Sequence, residues 1–346
     1  MECSTRRVYT CYTFAMQNLD FLAIGDTVVD DFILLKDAKV HCDIDTDACT
    51  ISMRWGDKIP FVSSTIVAGV GNSANAAVSA ARLGLNTALM ATIGDDRDGD
   101  AIMEHFAKEG LSTEFIVRAP GKATNHHYVL SYESERTILV KPEPYDYVFP
   151  MDLPAPKTVY LSSLGEAGEK YYADMAQYLN EHPDIFFTFQ PGTFQMNMGA
   201  EALAPIYSRA NLLVVNKEEA ARILKLPEGQ EIPVLIAKAH ALGPKHVIVT
   251  DGREGAYASD GTHTYHVPMY PDDRAPKERT GAGDAFASTV TAALTIGKPF
   301  SEALLWGPIN SMSVVQDIGA QAGLLTRSSL EDYLSKAPPT YTISNL

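Results

Sequence analysis

The segment best equipped for chemistry is Thr280-Gly281-Ala282-Gly283-Asp284-Ala285-Phe286. It opens a stretch in which Phe286, Val290, Ala293 and Leu294 recur at the spacing of one buried helix face. Two glycines at a helix start let backbone amides come close to a ligand, and the orphan N–H groups with the positive helix end favour an anion. Gly281, Ala282 and Gly283 are therefore a candidate anion hole. Asp284 stands in the first helical turn, where a carboxylate either complements the dipole or serves as a base toward whatever the hole contains. A structural turn gives the same Gly-x-Gly pattern, so other residues have to decide.

Asp30 closes the string Gly25-Asp26-Thr27-Val28-Val29-Asp30 after the first apolar run. A carboxylate accepts two hydroxyl hydrogen bonds at once, which suits a polyol, although a strand-end turn is the plainer use and Asp31 would serve it equally. Asn216 and Glu219 lie three apart at a helix start and read on their own as a capping box. Thr250-Asp251-Gly252-Arg253-Glu254-Gly255 reads in isolation as a hairpin turn. His126 and His127, adjacent on a strand, point to opposite faces and cannot chelate one ion, which leaves strand packing as their use.

The elements that must position these residues alternate. Short apolar runs predict strands over 19–24, 87–93, 158–161, 185–189, 212–215 and 247–250. Helical periods predict helices over 73–83, 98–109, 167–179, 217–224 and 234–242. Such βα units imply an α/β fold with a mostly parallel sheet. Two segments break the rhythm: 31–67 and 115–148 are rich in Val, Ile, Thr and Tyr without helical period, and predict a small separate sheet, either a lid or a surface hairpin. Residues 1–18 read as a disordered extension, with Met16 an alternative start, and 336–346 as a C-terminal tail.

The 346 residues include 43 acidic and 28 basic side chains, a formal net charge of −15. That balance argues against nucleic acid as a partner. No apolar run approaches the ~20 residues of a membrane span, and no export leader is continuous near Arg6-Arg7. Cys3, Cys11, Cys42 and Cys49 show neither metal-site spacing nor the density of a secreted scaffold, from which we expect a reducing, cytoplasmic setting.

The string at 280–286 closely resembles the signature of the ribokinase/PfkB family of sugar and nucleoside kinases. Further blocks resemble that family in order from about 19 to 325. Gly25–Asp30 corresponds to the end of its first strand, and Gly69-Val70-Gly71-Asn72-Ser73-Ala74-Asn75 to its N-terminal signature. The turn at 94–99 matches another family block, read as structural. Asn216-Lys217-Glu218-Glu219 resembles its Asn-x-x-Glu element, 250–255 its nucleotide turn, and Gly319-Ala320-Gln321 its C-terminal turn. The resemblance implies a ribokinase-like three-layer α/β/α core with a small β-sheet lid, spanning 19–335. It implies Asp284 as general base, Asp30, Gly71 and Asn75 on the acceptor, and Asn216, Glu219, Thr250, Gly252, Gly255 and Asn310 on the nucleotide.

Glu219 would also meet Mg²⁺ through water. Two blocks depart from the family: Glu278-Arg279-Thr280 replaces its Asp-Thr-Thr, which bears on a monovalent cation, and Gln190-Pro191-Gly192-Thr193 replaces its Asp-Pro-Asn. The expected activity is ATP-dependent phosphorylation of a sugar hydroxymethyl group. The alternatives are a nucleoside kinase, for which Tyr128, Tyr132, Tyr145 and Tyr147 leave room, and a silent sugar or nucleotide sensor. No Gly-x-Gly-x-x-Gly follows the first strand, which disfavours a dinucleotide dehydrogenase. A homodimer through exposed lid edges is expected, since unpaired strands seek partners.

Overall fold

The computed structural model describes residues 19–42, 49–132 and 135–346. Strand β1 (Phe21–Ile24) is apolar in every position and buried on both faces, as a central parallel strand must be. Phe21 and Ala23 face one core and Leu22 and Ile24 the other.

The chain continues through β2 (Val28–Leu35), β3 (Lys39–Cys42), β4 (Cys49–Ser52), β5 (Phe61–Val70), α1 (Asn72–Arg82), β6 (Thr87–Gly94), α2 (Arg97–Lys108), β7 (Ile116–Ala119), β8 (His126–Tyr132) and β9 (Glu135–Leu139). The middle of the chain forms β10 (Thr158–Leu161), α3 (Glu169–Glu181), β11 (Phe186–Phe189), α4 (Thr193–Met198), α5 (Ala204–Arg209), β12 (Leu212–Asn216), α6 (Lys217–Ile223), α7 (Ile232–His240) and β13 (His246–Thr250). It ends with β14 (Ala256–Ser259), β15 (Thr264–Val267), α8 (Ala282–Thr295), α9 (Phe300–Val314), α10 (Arg327–Ser335) and β16 (Ser344–Asn345).

The main sheet has the order β16-β15-β14-β13-β12-β11-β10-β1-β6-β7. The seven strands from β13 to β7 are parallel, and β14, β15 and β16 add antiparallel. One face carries α1, α2, α8, α9 and α10; the other carries α3, α5, α6 and α7. Each face buries its own apolar cluster, which gives three layers.

A second sheet, β5-β2-β8-β9, stands apart, and β3 and β4 pair only with each other. This matches the expected small sheet with one correction. Residues 116–119 belong to the main sheet, where β7 runs parallel to β6. Period-two alternation is the same on either sheet, so only hydrogen bonding could assign that strand.

The β3–β4 register sets Cys42 opposite Cys49, and the two are joined as a disulfide, a link that the expectation of reduced cysteines did not include. Cys3, Cys11 and the expected extension 1–18 lie outside the described residues. Among the described residues no helix is long and apolar enough to cross a membrane.

Gly69 couples the small sheet to the core. Its φ of +74° is left-handed, and a Cβ there would fall 2.6 Å from the His105 ring and 2.9 Å from the ring of Phe106, which is fully buried on α2. Gly69→Ala should therefore destabilise the protein by roughly 1–3 kcal/mol through strain and overpacking. Denaturant unfolding checks this, and an unchanged midpoint would remove Gly69 from that role.

Candidate active site

The carboxyl ends of β1, β10, β11, β12 and β13 open onto one cavity of about 1290 Å³. Such crevices at strand ends are where open α/β sheets take ligands. Asp284 is buried in its wall, 7% exposed, in the first turn of α8. Three side-chain amides donate to it. Asn72 Nδ2 reaches Oδ1 at 2.8 Å, Asn75 Nδ2 reaches Oδ2 at 2.8 Å, and Gln190 Nε2 reaches Oδ1 at 3.3 Å. Burial raises the Asp284 carboxyl above the usual range, and the three amides pull it back down.

Gly281 caps α8 with φ of +80°, and a Cβ there would lie 2.4 Å from the Cβ of Ala320. The helical ladder opens with Ala285 N–H to Gly281 O at 2.8 Å. The amides of Gly283 and Asp284 therefore have no intrahelical acceptor, and Ala282 N–H makes only a 3.4 Å bond to Arg279 O. No atom outside its own helix lies within 4 Å of where a Gly283 Cβ would be, so the chain is open to the cavity there.

Where β1 leads into β2 at one end of the cavity, Asp30 Oδ1 is buried without a hydrogen-bond partner, and His127 Nδ1 stands 3.4 Å away. A buried orphan acceptor fits a ligand hydroxyl. His127 and His126 do point apart: His126 Nδ1 meets Asp98 at 2.8 Å on the other side of the strand. Asp26, not assigned from sequence, also lines this end. Tyr147 O–H donates to its Oδ1 at 2.8 Å and Gly165 N–H to its Oδ2 at 2.7 Å, while burial pushes its carboxyl up to about 6. Gly71 caps α1 with φ of +115°, and a Cβ there would press on Asp26 O at 2.9 Å.

Asn216 and Glu219 form the capping box expected of them, with Glu219 N–H to Asn216 Oδ1 at 2.7 Å and Asn216 N–H to Glu219 Oε2 at 2.9 Å. Both also line the cavity, beside Thr250, Gly252 and Gly255. Burial, with Asp284 nearby, raises the Glu219 carboxyl.

Asn310 is a correction. It is fully buried, donating to Thr289 at 2.7 Å and accepting from Leu325 N–H at 2.9 Å, and the cavity is lined instead by Pro308, Ser311, Met312 and Val315 of that helix and its end. Those four follow the i, i+3, i+4, i+7 pattern of one face, and Asn310 lies off it. Glu278 binds the Thr280 hydroxyl and Gly319 N–H, tying the loop before α8 to the turn that abuts Gly281. Asp26 and Asn72 also line the cavity without having been assigned from sequence, and His127, expected only to pack its strand, lines it beside Asp30.

The pattern of pfkB family carbohydrate kinases matches residues 62–327. The chain belongs to the pfkB family of carbohydrate kinases. As such it is an ATP-dependent kinase. It is similar to the ribokinase of Bacillus subtilis (strain 168), 28% identical over 287 residues that cover 82% of this chain and 92% of that one. Among solved structures it resembles Arabidopsis thaliana ribokinase complexed with ribose and ATP, at a TM-score of 0.78 and 20% identity, covering 92% and 99% of the two chains. The nucleoside kinase of Methanocaldococcus jannaschii shares the fold at a TM-score of 0.73 and 18% identity, covering 91% and 98%.

Asp26 of the kinase carries a folded-state carboxyl near 6, above the ordinary unfolded value of 3.8. Its charge is thus a destabilising load above pH 6 that vanishes below about 4. Relative to the parent, Asp26→Asn, which leaves one of the two donors without its carboxylate oxygen, should gain up to about 3 kcal/mol in stability between pH 4 and pH 8. The gain should shrink as pH falls from 6 to 4. Thermal scans across that range check it, and a pH-independent effect would contradict it.

Proposed function

We propose that this kinase transfers the γ-phosphoryl group of ATP to a primary hydroxyl of a small neutral sugar. The supporting observation is the pairing of a buried base with an orphaned acceptor in one cavity, Asp284 and Asp30 Oδ1. In this reading Asp30 and the His127 beside it hold the acceptor hydroxyls. Asp284 takes the proton of the reacting hydroxyl as its oxygen bonds to the γ-phosphorus. The bond from that phosphorus to the bridging oxygen breaks, and ADP leaves with the electron pair. Charge developing on the transferring oxygens meets the amides of Gly283 and Asp284 at the α8 end, so positioning and electrostatics carry the rate.

Thr250, Gly252 and Gly255 would lie along the nucleotide. Among the described residues no cluster of three or more His, Cys, Asp or Glu side chains is placed to hold a metal. The residues would fit a hydrated ion brought in with the nucleotide, with Glu219 and Glu218 of the cavity wall placed to meet its water. Bound in that way, Mg²⁺ would neutralise phosphate charge.

A sugar is favoured over a nucleoside because Tyr128, Tyr132, Tyr145 and Tyr147 do not line the cavity. Tyr145 O–H is spent on Ala123 O and Tyr147 O–H on Asp26. We extend the reading to a homodimer through the small sheet, whose strands β5 and β9 expose Phe61, Val62, Ile66 and Leu139.

Asp284→Asn should lower turnover by about 10²–10⁴-fold while ATP affinity changes little. Near-normal turnover would remove Asp284 as the base. Thermal shifts with ribose, fructose, a keto-deoxy sugar acid and adenosine should rank a neutral sugar first. A larger shift with adenosine would favour the nucleoside reading.

A further inference from the structure

Gln190 stands where the family resemblance led us to expect an acid, and its amide reaches Asp284 Oδ1 at 3.3 Å. Its other end accepts the hydroxyl of Tyr160, a fully buried residue of β10. The polarity of this chain follows from its inner end. An ionised carboxylate only accepts, so Gln190 must present its NH₂ to Asp284 and its carbonyl to Tyr160, whose hydroxyl must then donate. The opposite oxygen is treated alike: Asn75 gives its NH₂ to Oδ2 and accepts at Oδ1 from Gln321 Nε2 at 2.9 Å, and Gln321 Oε1 meets His105 Nε2 at 2.7 Å. Each oxygen of Asp284 is thus held by an amide whose direction is set from behind.

We propose that Gln190 is a positioning residue for Asp284, with its amide locked by the Tyr160 hydroxyl, so that the carboxylate stays fixed toward the acceptor. This rests on Asp284 being the base. In this chain an acid at 190 would remove the amide donor and set a second negative charge or an unshared proton against Asp284, whose charge also acts on Tyr160 and Glu219, the other titratable groups nearby. Asn72 secures the same oxygen from α1, so loss of Gln190 loosens the base without releasing it.

The test is a double-mutant cycle on steady-state kinetics of the full chain. Gln190→Ala should lower kcat by roughly 10–100-fold with the KM for ATP within about twofold. Tyr160→Phe should lower kcat about 3–10-fold in the parent and have no further effect in Gln190→Ala, because its influence passes through the missing amide. Gln190→Glu, close in size, should move the acid limb of the kcat profile upward by about one pH unit. Multiplicative losses in the cycle, or an acid limb that stays in place in Gln190→Glu, would overturn the proposal. Circular dichroism and thermal unfolding identify a variant that fails to fold, in which case the Gln190→Glu profile decides. Asp284→Asn separates the two levels: if it retains turnover the base assignment fails, whereas a dead Asp284→Asn beside an unmoved acid limb rejects the relay alone.

Discussion

A carboxylate buried at the start of a helix survives as an anion only if donors surround it, and Asp284 has drawn three of them from separate parts of the chain. Asn72 and Asn75 come from α1 in the N-terminal third, and Gln190 follows β11 in the middle. Asp284 itself opens α8 near the C-terminus. The seven parallel strands help this meeting, because crossover connections return them in the same direction and leave the loops at their carboxyl ends on one edge. The small residues along α1 and α8 then let the two helices pack against each other, with Ser79 and Thr289 in contact between them.

The same edge resolves the tension between a net charge of −15 and a polyphosphate substrate. The groups suited to an anion are main-chain amides at the α8 terminus, in a turn held open by Gly281 against Ala320. Backbone dipoles do not enter a count of charged side chains. Of the acids in the cavity wall, Asp26, Glu219 and Asp284 accept from hydroxyl or amide donors, which are the partners a carboxylate prefers.

The small sheet is tied to this centre by hydrogen bonds as well as by packing. Gln321 donates to Gly69 O near the end of β5 and to Asn75 Oδ1 behind Asp284. Gly69 in turn is seated against α2. The end of β5 and the Asn75 amide that meets Asp284 therefore share one donor.

The sequence by itself determined the α/β alternation, the helix start around Asp284, the Asn216–Glu219 cap and the order of the motif blocks. All of these are local: periodicity, capping chemistry and glycine turns act over a few residues. Tertiary structure decided what depended on distant partners. Asn310 has the right residue type for a ligand contact but turns inward to Thr289, since a helix has several faces and spacing to Gly319 does not say which one meets the cavity. Residues 116–119 joined the main sheet because β6 offered them a parallel ladder. Asp26, an unassigned neighbour in the sequence, lines the cavity with its carboxylate held by Tyr147, 121 positions away. Gln190 looked like a lost acid until the fold set Tyr160 behind it and Asp284 in front, because the use of an amide is defined by what stands at both of its ends.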